Sequence, residues 1–209
     1  MNAMASHHPL LPEWHIDTWL NAPAPLTLAS LRGRVVLLHA FQMLCPACVL
    51  YGLPQAERVR RAFPESELAV VGLHTVFEHH AVMTVAALRA FASEYRWSFP
   101  IGVDQADGKG GPSMTMARYG LRGTPSCLVL DHEGRVCLQH FGEINDLALG
   151  ALLGRLIEKA AIRCSADEIL MAAAPDVRAV PVACLSTGCL NVQGAGKSGD
   201  KVSAGASHE

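Results

Sequence analysis

Two cysteines three positions apart have the spacing of a reactive pair, in Cys45-Pro46-Ala47-Cys48. Such a pair can cycle between a dithiol and a disulfide, or supply half of a zinc site. The apolar, β-branched residues 35–41 before it are typical of a buried strand, and apolar residues recur at helical spacing after Cys48. The first thiol therefore lies at the start of a helix, where unpaired N–H groups and the helix dipole stabilise a thiolate.

This placement predicts a separate role for each cysteine. Cys45 is the candidate nucleophile, and Cys48, one helical turn later, can attack a mixed disulfide on Cys45 and release the reduced partner. A structural zinc ion needs two further ligands. The close pairs that we consider for them are His79-His80 and, in the tail, Cys184 and Cys189. We therefore favour thiol chemistry over zinc binding and predict no metal site.

A proline directly before a strand-like segment is the second chemical element. Thr124-Pro125 precedes Ser126–Leu130, and a trans proline would be poorly placed there. We expect a cis peptide bond at this position.

Strand-like and helical patterns alternate along the chain and must position these residues. The strand-like segments are 35–41, 68–74, 99–103, 126–130 and 135–141, and the helical ones are 48–63, 82–95, 113–119 and 147–160. The first half predicts a parallel α/β sheet, and the last two strands predict an antiparallel hairpin. Ser113 and Asn145 are the expected caps of the last two helices.

Length and composition limit the classes of function that the chain can have. The chain has 209 residues, of which 50% are hydrophobic and 17% charged, with a formal net charge of -2. Such a chain can bury a core, and it has no basic field that would hold nucleic acid. No apolar run approaches the roughly 20 residues of a membrane span. No secretory signal is visible and the seven cysteines have no regular spacing, so we expect a cytoplasmic protein.

We divide the chain into three regions. Residues 1–25 read as a leader segment, residues 26–160 as the redox domain, and residues 161–209 as an irregular C-terminal extension whose last fifteen or so residues we expect to be mobile. The Gly-Lys-Ser triplet in this extension is not a P-loop, because Asn191 stands where the first glycine is required.

Together these features resemble the thioredoxin superfamily, closest to its redoxin or TlpA-like branch within the thiol-specific-antioxidant grouping. The resemblance covers about residues 26–160. It is carried by Val35–Phe41, Cys45–Cys48, Pro54, Val70–Leu73, Tyr119–Pro125 and Leu130–Gly134. It implies a thioredoxin-like α/β fold, with a central mixed sheet flanked by helices, and no organic cofactor. It also implies a cis Pro125 beside Cys45 and a Thr124 backbone that offers an edge to the substrate chain.

The chain departs from the family pattern at three positions. Leu44 stands where the family usually has tryptophan, and His39 where it usually has an acidic or amide residue. A neutral histidine could take the proton of Cys48, although a core histidine without a catalytic role is an alternative. Pro54 is displaced by one residue, which predicts an altered local helix geometry.

A peroxiredoxin is the rival inside the superfamily. Peroxiredoxins have the motif Pro-x-x-x-Thr-x-x-Cys around their reactive cysteine. Before Cys45, Leu38 stands at the proline position and Gln42 at the threonine position. We therefore expect poor peroxide activation. Arg122 could lie near the proline loop and lower the pKa of Cys45, or be a solvated loop arginine.

Several further residues have two interpretations each. The segment His74–His80, with His79 and Glu78, is either a metal or substrate site or a polar loop. Cys127 and Cys137 are interpreted as small apolar packing residues. Cys184 and Cys189 could form a second dithiol or be reduced surface cysteines, and Cys164 receives no role.

We predict a thiol–disulfide oxidoreductase that exchanges a Cys45–Cys48 disulfide with protein or small-molecule thiols, with Pro125 and Thr124 orienting the partner and His39 relaying protons. A thiol-dependent peroxidase of the same fold is one alternative. The other is a non-enzymatic metal or partner-binding module.

Overall fold

A six-stranded mixed sheet forms the centre of the fold in the computed structural model, which describes residues 9–172, with side chains through residue 163. The strands are β1 (Ile16–Leu20), β2 (Val35–Phe41), β3 (Leu68–His74), β4 (Ile101–Asp104), β5 (Ser126–Leu130) and β6 (Val136–Phe141). The helices are α1 (Leu53–Ala62), α2 (Val85–Glu94), α3 (Met114–Arg118) and α4 (Asp146–Ala172), with a π-helix at Cys48–Gly52 and a 3-10 turn at Ala29–Leu31.

The strands lie in the order β1-β4-β3-β2-β5-β6. The three inner strands β4, β3 and β2 are parallel, while β1, β5 and β6 pair antiparallel with their neighbours. Every residue of β2 and β3 is buried, as expected for parallel strands covered on both faces. The predicted thioredoxin-like α/β fold, with a central mixed sheet, is confirmed.

Alternate residues of β2 enter two separate cores. Val35, Leu37 and Phe41 pack with α1, α2 and α4 on one face, and Val36 and Leu38 pack with α3 and the N-terminal segment on the other. This alternation follows from the two-residue period of a strand. His39 lies on the α1 face, directly below the helix that begins with the dithiol.

Edge strand β1 lies within the segment predicted as a leader. Its residues pair with β4, with Leu20 opposite Ile101, and nearby Trp14 is buried. The sequence did not predict this strand, because its five residues (three half-buried, one exposed and one buried) give a weak strand pattern.

Two helix starts differ from those predicted. Helix α2 begins at Val85 instead of residue 82, because Thr84 caps it by accepting the Ala87 N–H at 3.2 Å. Ser113 does not cap α3 with its side chain; its hydroxyl donates to the Val76 carbonyl at 2.8 Å. The carboxylate of Asp104 accepts the free N–H groups of α3 instead.

Helix α4 begins as predicted and ends later. The Asn145 side chain accepts the N–H groups of Leu147 and Ala148, and the helix continues past residue 160 to Ala172. Among the described residues, none of the helices combines the length and the apolar character that crossing a membrane requires.

Candidate active site

The dithiol lies just beyond the carboxyl end of central strand β2. A short loop turns back at Gln42, whose carbonyl accepts the Cys45 N–H at 3.3 Å. Cys45 is half-buried, Cys48 is fully buried, and neither is in a disulfide. The Cys48 N–H donates to Cys45 Sγ at 3.2 Å. A backbone N–H aimed at a sulfur stabilises its thiolate form, so the first turn of the helix favours Cys45 as the nucleophile.

The proline loop lies against the same sulfur. The Thr124–Pro125 peptide bond is cis, and the Cys45 thiol donates to the Thr124 carbonyl with an Sγ to O distance of 3.4 Å. Strand β5 begins directly after Pro125 and pairs with β2, with Cys127 opposite His39. The pairing of β2 with β5 therefore brings the dithiol and the proline loop together, although they are about 80 residues apart in sequence.

Burial makes the two cysteines chemically unequal. The Cys48 side chain has no solvent exposure, and this burial raises the pKa of its thiol well above the ordinary value. Cys48 is therefore protonated at neutral pH and must lose a proton before it attacks. An incoming sulfur can reach only Cys45, since Cys45 alone of the pair is accessible.

The helix that carries the dithiol begins with a π turn. The Leu53 N–H bonds to the Cys48 carbonyl, five residues before it, whereas an α-helix would connect residues four apart. Pro54 has no N–H to donate to Leu50, so an α-type ladder ends at this turn. The wide turn accommodates the one-residue displacement of Pro54, and Leu50 and Tyr51 project outward, 65% and 48% exposed.

His39 lies beneath this π turn. It is 3% exposed, and its Nε2 has no hydrogen-bond partner among the described residues. A Cβ built on Gly52 would overlap His39 Nε2 and lie 3.3 Å from Pro125 Cβ. Burial lowers the pKa of His39 from 6.5 to about 4. The imidazole is therefore neutral at pH 7, packed between the dithiol helix and the proline loop.

A cavity of about 360 Å³ adjoins His39. It lies between the π-helix, α1 and the loop that joins β6 to α4. Its lining includes His39, Tyr51, Gln55, Arg58, Cys127 and Asn145. The volume is large enough for several water molecules, and its polar walls offer them partners. The His39 side chain thus borders a space that can hold water.

The structure does not bring the predicted histidine segment together. His74 is buried, lies 5.4 Å from Phe41 between ring centroids, and has no partner at either nitrogen among the described residues. Burial lowers its pKa to about 4. His79 and His80 are exposed in the following loop. Within residues 9–163, no three His, Cys, Asp or Glu side chains converge in a way that could hold a metal ion.

The other cysteines do not join the dithiol. Cys127 is buried in the α1-side core, where burial raises its pKa to about 12, and Cys137 is half-buried on β6. These positions agree with packing roles. The side chain of Cys164 and all of Cys184 and Cys189 lie outside the described residues.

Two residues near the site were missed by sequence analysis. Gly52 leaves room for His39, and a glycine inside a helical pattern was the available signal. Phe141, the last residue of β6, is 49% exposed and lies beside Arg122, whose guanidinium carbon is 5.7 Å from the ring centroid. This contact joins the loop before β5 to strand β6, so no local pattern could indicate it.

The chain is similar to curated proteins over part of their length and to solved structures over almost all of theirs. No family model matches the chain. Protein DipZ of Mycobacterium bovis and of Mycobacterium tuberculosis is 32% identical over 130 residues, which are 61% of this chain. The matched part is 18% of each DipZ protein, so the chain corresponds to less than a fifth of these curated relatives.

Solved structures match over almost their whole length. The crystal structure of the thioredoxin-like superfamily protein SPOA0173 is 53% identical, with a TM-score of 0.69, and the match covers 71% of this chain and 96% of that one. A thiol-disulfide isomerase from Corynebacterium glutamicum is 45% identical, with a TM-score of 0.68 and coverage of 72% and 97%. A thiol:disulfide interchange protein DsbE from Chlorobium tepidum, 20% identical with a TM-score of 0.56, shares the fold.

Proposed function

This chain belongs to the thioredoxin-like superfamily, and from that premise we propose that it is a thiol–disulfide oxidoreductase whose reactive group is the Cys45–Cys48 pair. One observation carries the proposal. Cys45 Sγ accepts the Cys48 N–H at 3.2 Å and lies 3.4 Å from the Thr124 carbonyl oxygen. An accessible thiol is thereby held between a helix start and a substrate-facing loop, with a second thiol one turn away.

The exchange proceeds in two displacements. The Cys45 thiolate attacks one sulfur of a substrate disulfide, forms a mixed disulfide and releases the other substrate sulfur as a thiolate, which takes up a proton. Cys48 then loses its proton and attacks Cys45 Sγ, which releases the second substrate thiol and leaves a Cys45–Cys48 disulfide. Two electrons pass from the dithiol to the substrate, and the reverse sequence oxidises a substrate dithiol.

Proton removal from buried Cys48 needs a base, and His39 is the proposed one. Gly52 and Cys48 are four residues apart on the helix, so His39, in contact with the Gly52 position, lies below the turn that Cys48 begins. Its neutral imidazole has an unpartnered Nε2. Because its pKa is low, His39 holds the proton only transiently and passes it to solvent in the adjacent cavity.

Pro125 and Thr124 position the partner in this proposal. Proteins or small molecules that carry a thiol or a disulfide are the expected partners. The thiol:disulfide names of the related structures support this class of reaction. The cytoplasmic placement expected from the sequence stays a prediction.

A redox titration tests the proposal. Cys45 and Cys48 would be alkylated and quantified by mass spectrometry across a glutathione or dithiothreitol gradient. We expect a reversible two-electron couple of both residues together, and its potential defines the direction: near about −270 mV for a reductant, near about −120 mV for an oxidant. A parallel sample takes hydrogen peroxide. A pair that resists thiol exchange and is rapidly converted to a sulfenic acid at Cys45 would overturn the proposal in favour of a peroxidase.

A further inference from the structure

Arg122 is a cation on the loop that contacts Cys45, and within residues 9–163 it forms no ion pair with a carboxylate. Five of the other arginines in residues 9–163 form ion pairs with carboxylates, and the rest do not; the five are Arg58, Arg60, Arg61, Arg135 and Arg163. Arg122 makes no ion pair with a carboxylate in residues 9–163 and instead lies over the ring of Phe141, 5.7 Å from its centroid. A guanidinium on an aromatic face is attracted by the ring quadrupole and keeps its N–H donors free at the edge.

Packing holds Arg122 and Phe141 against the Thr124–Pro125 loop that contacts Cys45. Gly123 separates Arg122 from Thr124 and lies against Phe141, so closely that a Cβ on Gly123 would be 2.9 Å from the ring. Phe141 is opposite Ser126 in the β5–β6 ladder. The next residue along, Gly142, donates its N–H to the Pro125 carbonyl at 2.8 Å. The cation is therefore anchored within two residues of the carbonyl that contacts Cys45 Sγ.

Several large apolar side chains are exposed around the dithiol and its loop. Leu44 is 58% exposed, and Leu50, Tyr51 and Phe141 are also exposed large side chains near the dithiol or its loop. Two carboxylates lie in this region: Glu143 lines the cavity beside His39, and Glu78 accepts the Gln42 side-chain N–H at 3.5 Å. A substrate that reaches Cys45 past the proline loop meets Arg122, a cation held on the Phe141 ring.

We propose that Arg122, held on Phe141, selects disulfides and thiols that carry a carboxylate near the sulfur. The inference rests on the proposed thiol–disulfide exchange and adds a preference to it. Attraction between the guanidinium and the substrate carboxylate favours the encounter and the mixed disulfide, while the two displacements at sulfur are unchanged. The carboxylate can belong to a low-molecular-weight peptide thiol or to an acidic residue beside a protein cysteine.

Matched small disulfides test the preference. The reduced full-length protein would be reacted with dithiodipropionate (anionic), hydroxyethyl disulfide (neutral) and cystamine (cationic), and each rate constant divided by that of free dithiothreitol with the same disulfide. We expect the normalised rate to be about fivefold higher for the anionic compound than for the neutral one, a factor typical of a partly exposed ion pair. The factor should shrink at about 1 M salt, where the Debye length falls to roughly 3 Å.

Variants assign the effect to the proposed pair. R122Q should abolish the preference and leave the neutral rate unchanged, R122E should favour cystamine, and F141L should weaken the preference because the cation loses its platform. R96Q is the matched control, since Arg96 is an exposed arginine beside Leu20 and Asn21 near the β1 edge of the sheet. It should retain the full preference.

The outcomes separate this inference from the proposed function. Absence of exchange with the neutral disulfide would contradict the oxidoreductase itself. Normal neutral exchange without an anionic preference, or a preference that survives R122Q, would overturn the carboxylate site alone. Two further substrates distinguish the source of the carboxylate: oxidised glutathione, and a peptide disulfide with Asp beside its cysteine, compared with the same peptide carrying Asn. A rate that falls in R122Q supports the site for that substrate. The substrate whose rate falls more identifies the preferred source, a low-molecular-weight thiol or a protein.

Discussion

His39 and Gly52 occupy complementary positions: the imidazole fills the space that any side chain on residue 52 would need. A Cβ on Gly52 would overlap His39 Nε2, so the π turn passes directly over the ring. This contact ties the helix that begins at Cys48 to central strand β2.

Gly52→Ala should destabilise the protein. The new methyl group forces His39 or the dithiol helix to move, and overpacking of this kind costs about 1–3 kcal/mol. Urea denaturation at pH 7 measures the loss of unfolding free energy. Gly150→Ala is the matched control, because that glycine has open space around it inside α4, and alanine there should be neutral or stabilising by up to about 1 kcal/mol. Equal effects at the two positions would contradict the packing account.

His39→Asn should slow the second displacement and spare the first. The variant lacks the ring nitrogen that accepts the Cys48 proton, and loss of a general base lowers a rate by about a hundredfold or more. Acid-quenched reactions with hydroxyethyl disulfide, resolved by mass spectrometry, should show the mixed disulfide on Cys45 accumulating.

The pH dependence and a second histidine serve as controls for that variant. In the parent protein, resolution should stay base-assisted down to about pH 4, the lowered pKa of His39. His140→Asn changes a histidine on β6 outside the cavity lining and should resolve normally. A His39→Asn protein with an unchanged resolution rate would reduce His39 to a packing residue.

Acid should destabilise the fold below pH 6.5. Burial lowers the pKa values of His39 and His74 from 6.5 to about 4, so the unfolded chain binds more protons between these values and stability falls as the pH falls. For two such histidines, linkage gives a loss of about 2 kcal/mol each between pH 7 and pH 5. Urea midpoints at the two pH values measure this loss.

His74→Phe isolates one of the two contributions. The phenyl ring keeps the contact with Phe41 but has no group to protonate, so the loss between pH 7 and pH 5 should shrink by about 2 kcal/mol. His80→Gln removes an exposed histidine and should leave the loss as it is. An identical pH response in the His74→Phe and parent proteins would contradict the assignment.

Local patterns in the sequence were sufficient for much of the fold. The alternation of apolar strands and amphipathic helices predicted the α/β sheet, because each element has its own period. The Cys45–Cys48 spacing and the proline before β5 identified the dithiol and the loop that the structure brings together, with Cys45 Sγ 3.4 Å from the Thr124 carbonyl oxygen. Both signals lie within a few residues of the groups concerned.

Contacts between distant segments were beyond such patterns. Strand β1 forms because β4 offers it an edge, and Arg122 meets Phe141 because β5 and β6 pair. The displaced Pro54 indicated an altered helix, but it did not identify the π turn at Cys48–Gly52 that precedes it. The overlap of Gly52 with His39 likewise appears only when the helix lies on the strand.

Trapping of the mixed disulfide tests the central claim most directly. Cys48→Ser, Cys45→Ser and the parent protein would each be incubated with hydroxyethyl disulfide and analysed by intact mass and peptide mapping. We predict that Cys48→Ser retains a stable adduct on Cys45, that the parent protein passes on to a Cys45–Cys48 disulfide, and that Cys45→Ser does not react. A Cys45→Ser protein that still exchanged disulfides, or an adduct found first on Cys48, would contradict the assignment of Cys45 as nucleophile.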